Sequence, residues 1–438
     1  MFSGGFEKAI IPVMSRYIEY FHIFENKRFL SKCADLFEEN YFTKIHTLCF
    51  HETGERRSFV VFDRDMIYYN IMMLKILPNI SKTLHTLSLN CYDTEDDGPS
   101  LKVILMSCEN LANFKYETRL RGNQVFLGMN KFTGITRLTK FELKVDLYHV
   151  YPGESKTRAI DIDEMGFFLR CSPSLTYLKL GGYTSEDILP MVQKYCPGLT
   201  HLLLHQKIML FFSDTKTHNS DGLQLHTLVL GGHYPKKQLL TLFRSSHSTL
   251  VTLCLSTYEE EFTNRKAPEA PTKKGLKQAK DFWDAISKFK MNSLKHLPIH
   301  QESWFASEAT KNSIEKIIRQ SLNLQTLELR RLQGRVNGIT NGLAAAIATQ
   351  KHLSKLYLND SEFVISPPST IHSLLANLPV EHLSMTNCRK LGGDALKCIA
   401  EWKHLKDIQL GNSKAENATP EVFSNLHSCF HSCLIWNK

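Results

Sequence analysis

One pattern constrains this chain above all others: apolar-x-x-apolar-x-apolar, repeated along nearly its whole length. Clear copies are Leu84-Leu87-Leu89, Leu175-Leu178-Leu180, Leu199-Leu202-Leu204, Leu225-Leu228-Leu230 and Leu250-Leu253-Leu255. Leu324-Leu327-Leu329, Leu353-Leu356-Leu358 and Leu405-Ile408-Leu410 continue the series. Other apolar residues fill it at Ile45-Leu48-Phe50, Leu111-Phe114-Tyr116, Leu138-Phe141-Leu143, Leu294-Leu297-Ile299, Val380-Leu383-Met385 and Phe430-Cys433-Ile435, which makes fourteen copies. Between successive first anchors, ten of the thirteen intervals lie between 24 and 30 residues. A chance triplet is common, but a near-constant spacing is not, and this one falls within or just above the leucine-rich-repeat range of about 20–29 residues.

The spacing dictates the architecture. The last two apolar residues of each copy stand two apart and share one face of a short strand. The stretch that follows has helical periodicity, as in Ile188-Met191-Val192-Tyr195 and Leu396-Ile399-Ala400. One strand and one helix cannot bury their apolar faces alone, so the units must stack. The expected fold is α/β: a leucine-rich-repeat horseshoe solenoid over residues 45–438, with a parallel inner sheet and outer helices. Long intervals place insertions near 51–80, 144–170 and 256–290. Pro298 falls inside a strand, where it removes a ladder donor, so the copy at Leu294 is expected to be irregular.

Val380-Glu381-His382-Leu383-Ser384-Met385-Thr386-Asn387-Cys388, followed by Leu391, Asp394, Leu396 and Ile399, resembles the cysteine-containing leucine-rich repeat. Tyr195-Cys196-Pro197-Gly198-Leu199 and Cys108-Glu109-Asn110-Leu111 are similar to the joints between such repeats. That subtype resembles the F-box/leucine-rich-repeat proteins. The resemblance implies a substrate receptor of an SCF (Skp1–cullin–F-box) ubiquitin ligase, holding a protein on its concave face and performing no chemistry itself. Residues 1–44 precede the first copy and are expected to be helical, with Ile11, Met14, Ile18 and Phe21 as the apolar positions. The Leu-Pro opening of an F-box is absent, while Asn26-Lys27-Arg28-Phe29-Leu30 is similar to the second half of one. Three readings of the segment stay open: a degenerate F-box that binds a Skp1-type adaptor, a truncated one, or a helical cap. Gly338 to Ile347 is similar to ribonuclease-inhibitor-type repeats, which supplies a rival: a RanGAP-like GTPase regulator or scaffold unconnected to ubiquitin.

In this register the third, fifth and seventh positions of each copy face outward. They include Thr86, Ser88 and Asn90; Asn113, Lys115 and Glu117; Lys140, Glu142 and Lys144; Tyr177 and Lys179; and His201, Leu203 and His205. Later copies add Thr326, Glu328 and Arg330; Lys355, Tyr357 and Asn359; and His382, Ser384 and Thr386. From these, Lys115, Lys140, Glu142, Tyr177, Lys179, His201, His205, Glu328, Arg330, Lys355, Tyr357 and His382 form the candidate protein-binding set. Their mixture of rings, charges and hydrogen-bonding groups suits a protein epitope.

Chemistry finds little support. There is no P-loop, no GxSxG and no HExxH, so neither an enzyme nor a cofactor is expected. His427, Cys429, His431 and Cys433 have zinc-ligand chemistry, but alternate positions on one strand lie too flat to wrap a tetrahedral ion, so a C-terminal cap is expected and no metal. No apolar run approaches a membrane span, and no basic, then apolar leader opens the chain. A cytoplasmic or nuclear protein with reduced cysteines is therefore expected. Net charge is 53 − 44 = +9, too mild to argue for nucleic acid. Eight basic and three acidic residues between Arg265 and Lys290 supply +5 of it. That stretch is read as a solvated surface insertion, with a docking site for an acidic partner as the alternative, and it runs into a helix with Leu276, Ala279, Trp283, Ile286 and Phe289 on one stripe.

Overall fold

The computed structural model describes residues 17–24, 42, 44–51, 76–91, 100–118, 125–145, 160–182, 188–206, 222–231, 234, 236–256, 273–300, 308–330, 338–363, 376–389, 391–411, 415–416, 424 and 432–434. Two compact units divide the chain, Met1–Asp221 and Gly222–Lys438. Both are built of leucine-rich repeats.

In the first unit seven strands pair in parallel and in chain order: β1 (Tyr20–Phe24), β2 (Thr47–His51), β3 (Thr86–Cys91), β4 (Asn113–Thr118), β5 (Lys140–Val145), β6 (Tyr177–Gly182) and β7 (His201–Gln206). Helices α1 (Leu77–Ile80), α2 (Leu101–Ser107), α3 (Ile162–Cys171) and α4 (Ile188–Tyr195) lie between strands in the chain. The second unit repeats the plan with β8 (Thr227–Gly231), β9 (Thr252–Ser256), β10 (His296–His300), β11 (Thr326–Arg330), β12 (Lys355–Tyr357) and β13 (His382–Ser384). Its helices are α5 (Lys236–Ser246), α6 (Lys273–Ile286), α7 (Glu308–Gln320), α8 (Asn341–Ala348) and α9 (Gly393–Ala400). The two-residue strands β14 (Leu391–Gly392) and β16 (Ala415–Glu416) pair with each other, while β15 (Asp407–Gln409) and β17 (Ser432–Leu434) extend the main ladder from β13. This is the leucine-rich-repeat solenoid that the spacing predicts.

The register is uniform. Every strand from β2 onward in the main ladder starts two residues after the first anchor of its copy. Buried and accessible residues alternate in β4, β5, β9, β10 and β11, with the apolar members of each triplet inside. Such side chains each contribute about 1.5–3 kcal/mol on burial. Between repeats, one carbonyl sets the position of the next strand. The Ala112 carbonyl accepts from the N–H groups of Thr139 and Lys140, and the Thr139 carbonyl from those of Thr176 and Tyr177. The Thr139, Thr176 and Thr200 hydroxyls add side-chain bonds to the same row of carbonyls.

Six of the joints before strands close as tight turns. The anchor N–H donates to the carbonyl three residues earlier at Leu111–Cys108, Leu175–Ser172, Leu199–Cys196, Leu294–Met291, Leu324–Ser321 and Leu405–Trp402. The residue opening the turn is buried in all six. At one of the two cysteine joints the thiol also reaches back: Cys196 Sγ donates to the carbonyls of Leu169 and Ser172, both 3.9 Å away. The cysteine joint is thus one solution among several at a position that serine, methionine and tryptophan also fill.

Several expectations change. Residues 20–24, expected within a helical leader, form β1, paired Tyr20 to Thr47. Ile18-Phe21-Ile23 is a further copy, and the Glu19 carbonyl accepts from the N–H groups of His46 and Thr47, as its counterparts do in later repeats. Phe21 packs its ring 5.1 Å from that of Phe42. The rest of 1–44, except 17–19, 42 and 44, lies outside the described residues, and so do most of the 51–80 insertion, 146–159, 257–272 and 427–431. Pro298 disturbs less than expected. β10 keeps five residues and pairs with both neighbours, and the ladder lapses only at Leu297 and Pro298 on the β9 side. His296 donates to β9, and two residues on the missing N–H of Pro298 falls on that same side. In α6, Trp283 and Ile286 are buried as expected, joined by Phe282 and Ala285. Phe289 is half-buried and stacks on Phe243 at 6.0 Å. Among the described residues no helix is long and apolar enough to cross a membrane, and no cluster of metal-ligating side chains forms.

Candidate protein-binding face

The accessible side of each sheet collects the outward positions into rows, one residue per strand. In the first unit the strand-opening row runs Asn113, Lys140, Tyr177, His201, and the next Lys115, Glu142, Lys179, Leu203. The parallel register therefore brings together seven of the candidate residues: Lys115, Lys140, Glu142, Tyr177, Lys179, His201 and His205.

Their geometry is a charged sheet with an aromatic seam. Glu142 bridges two strands, with one oxygen 2.8 Å from Lys140 Nζ and the other 3.7 Å from Lys179 Nζ. Lys115 pairs with Glu117 at 2.8 Å. Lys140 Nζ also sits 4.7 Å from the centre of the Tyr177 ring, a cation–π contact. Tyr177 in turn stacks on His201 at 5.8 Å between centroids, and Thr200 Oγ1 lies 2.8 Å from His201 Nδ1. Burial, then the negative charge of Glu142, hold the Tyr177 phenol above its ordinary pKa, so it stays a neutral donor. His205 is exposed at the end of β7.

In the second unit Glu328 is the hub. His300 Nε2 lies 3.4 Å from it and Arg330 pairs with it directly. The contact with His300 is the main cause of its lowered pKa; burial opposes the shift and Arg330 adds to it. His382 Nδ1 lies 2.6 Å from Asp407 Oδ2 on the next strand. Burial, with the charges of Lys295 and Lys355, keeps His296 below the usual imidazole value. Lys355 and Tyr357 stand on β12, each paired in register with β11 and β13.

Two positions read as outward are not. Asn359 and Ser384 are buried, and Ser384 Oγ donates to Asn359 Oδ1 at 2.9 Å, which also accepts from the Thr386 N–H. β12 ends after three residues, and the chain turns inward through Asp360 at φ 54°, a left-handed conformation that Asp and Asn tolerate. Asn387 repeats the turn at φ 55°, one copy later. Conversely, Asp407 and Gly181 belong to the face without having been singled out. The register alone marks both: Asp407 opens its strand, and Gly181 is a seventh position.

No family model matches the chain, and no curated protein does either. Among solved structures it is similar to one described as the crystal structure of the Rad7 and Elc1 complex in yeast, at 14% identity and a TM-score of 0.43, covering 87% of this chain and 88% of that one.

Proposed function

We propose that the protein is a non-catalytic, protein-binding leucine-rich-repeat scaffold, and that it serves as the substrate-recognition subunit of an SCF-type ubiquitin ligase. The observation that carries the binding role is the accessible sheet face. Its charges and rings are ordered by the backbone register and presented on rigid strands, where little side-chain freedom is left to lose on binding. The ubiquitin role is supported by the resemblance of the repeat ending in Cys388, and of the joints at Cys108 and Cys196, to F-box/leucine-rich-repeat proteins. The buried Cys388 thiol donates across repeats to the Leu358 carbonyl. In this reading residues 1–44 engage a Skp1-type adaptor, and catalysis resides in the associated ligase. The setting is the cytoplasm or nucleus, where thiols stay reduced; Cys49, Cys108, Cys171, Cys196 and Cys254 are free.

Co-purification with a Skp1-type adaptor tests the ubiquitin role. The full chain is expected to retain the adaptor, and replacing residues 1–16 and 25–40 with a Gly/Ser linker is expected to abolish retention while β1 is kept. If the full chain fails to retain the adaptor, the ligase role is wrong and a scaffold unconnected to ubiquitin takes its place.

A further inference from the structure

The third row on the first unit's face contains a gap. Glu117, Lys144, Gly181 and His205 are successive partners across β4 to β7. Gly181 has no side chain, which leaves a notch between Lys144 and His205. Lys179, two residues earlier on β6, projects from the same face and borders the notch. A Cβ built at Gly181 would be in ordinary van der Waals contact, at 3.6 Å, with the Leu143 carbonyl oxygen and with Cα and Cγ of Lys144, so a side chain fits there without a clash and would occupy the gap beside Lys144.

Charge around the notch is layered. The Glu142 and Glu117 side chains are 15% and 17% exposed, whereas their partners Lys115, Lys140 and Lys179 are 45%, 46% and 36% exposed. Carboxylates therefore lie beneath, and ammonium groups form the outer layer. Lys144 is exposed, and among the described residues it has no carboxylate within ion-pair distance. Four lysines against two glutamates give this patch 4 − 2 = +2.

We propose that the Gly181 notch seats a carboxylate side chain of an acidic segment of the partner protein, laid across β4 to β7. Lys144, Lys179 and His205 surround that carboxylate. The proposal rests on the chain being a protein-binding scaffold and names the chemistry of what it binds.

Fluorescence anisotropy with a labelled glutamate-rich peptide, and a lysine-rich peptide as control, tests it on the full chain. The glutamate peptide alone is expected to bind, and more weakly as salt rises. Lys144→Glu with Lys179→Glu should weaken it about tenfold or more, as reversing two exposed ion pairs implies. Gly181→Leu should weaken it similarly by filling the notch, with an unchanged melting temperature, since a Cβ there meets its neighbours at ordinary contact distance. No binding by the parent chain, or equal binding by parent and variants, overturns the proposal. So does binding that survives these changes but is lost when Lys277, Lys280, Lys288 and Lys290 are neutralised. Adaptor retention without peptide binding removes the acidic partner alone; peptide binding without adaptor retention removes the ligase role alone.

Discussion

Buried thiols tie single residues to the stability of the whole. Burial pushes Cys108, Cys196 and Cys254 up to about 12 from an ordinary 9.0, for Cys254 with help from Glu328. A group whose folded pKa is raised lends stability that is complete below its unfolded value and lost as pH rises through the folded one. The melting temperature is therefore expected to fall as pH climbs from about 9 toward 12, and replacing the three cysteines with alanine should flatten that decline. Glu328 has the opposite sign. Its pKa is lowered, so its contribution is complete above the unfolded value and fades as pH falls through the folded one. Glu328→Gln should make the acid limb of the stability profile shallower, read by melts between about pH 6 and 3. The sequence pattern placed Glu328 on the accessible face, because strand alternation is local. It gave no sign that His300 reaches it from β10, since that follows from which strands become neighbours, whereas Arg330 stands two residues along β11 on the same face.

For strands and joints, the hydrophobic triplet was enough to place fourteen strand starts, because the two buried positions leave one register that keeps the apolar face inside. Three things escaped it. The copy at Ile18 was hidden in a segment whose apolar spacing also fits a helix. The turns after β12 and β13 depend on left-handed Asp360 and Asn387, which a repeat count does not reveal. The joints are defined by a turn rather than by cysteine, so a search for cysteine finds only some of them. Pro298 offers a direct test of one ladder. Pro298→Val restores an N–H toward β9, and one net hydrogen bond contributes about 0.5–1.5 kcal/mol. The denaturation midpoint should rise with an unchanged slope; a fall would mean that the proline ring supplies packing worth more than the missing bond.

Across whole units, stability is a sum over neighbours. Phe141 meets Phe168 at 4.7 Å and Phe114 at 5.8 Å, joining elements that are far apart in sequence. Phe141→Ala should cost about 3–5 kcal/mol. Hydrogen exchange should accelerate in β4, β5 and β6 and leave β11 and β12 at their parental rates; uniform acceleration would show a single cooperative block. The bridging carbonyls have a further consequence. Strand starts are 24 residues apart from Tyr177 to His201 and 44 apart from Thr252 to His296, yet each lands in the same register. A hairpin-linked sheet turns every side chain over when one residue is inserted into a strand connection that sets its pairing. Here, the chain can gain or lose whole connecting segments between strands without any change of frame, so the binding rows on the sheet and the lengths of the connections are free to diversify independently.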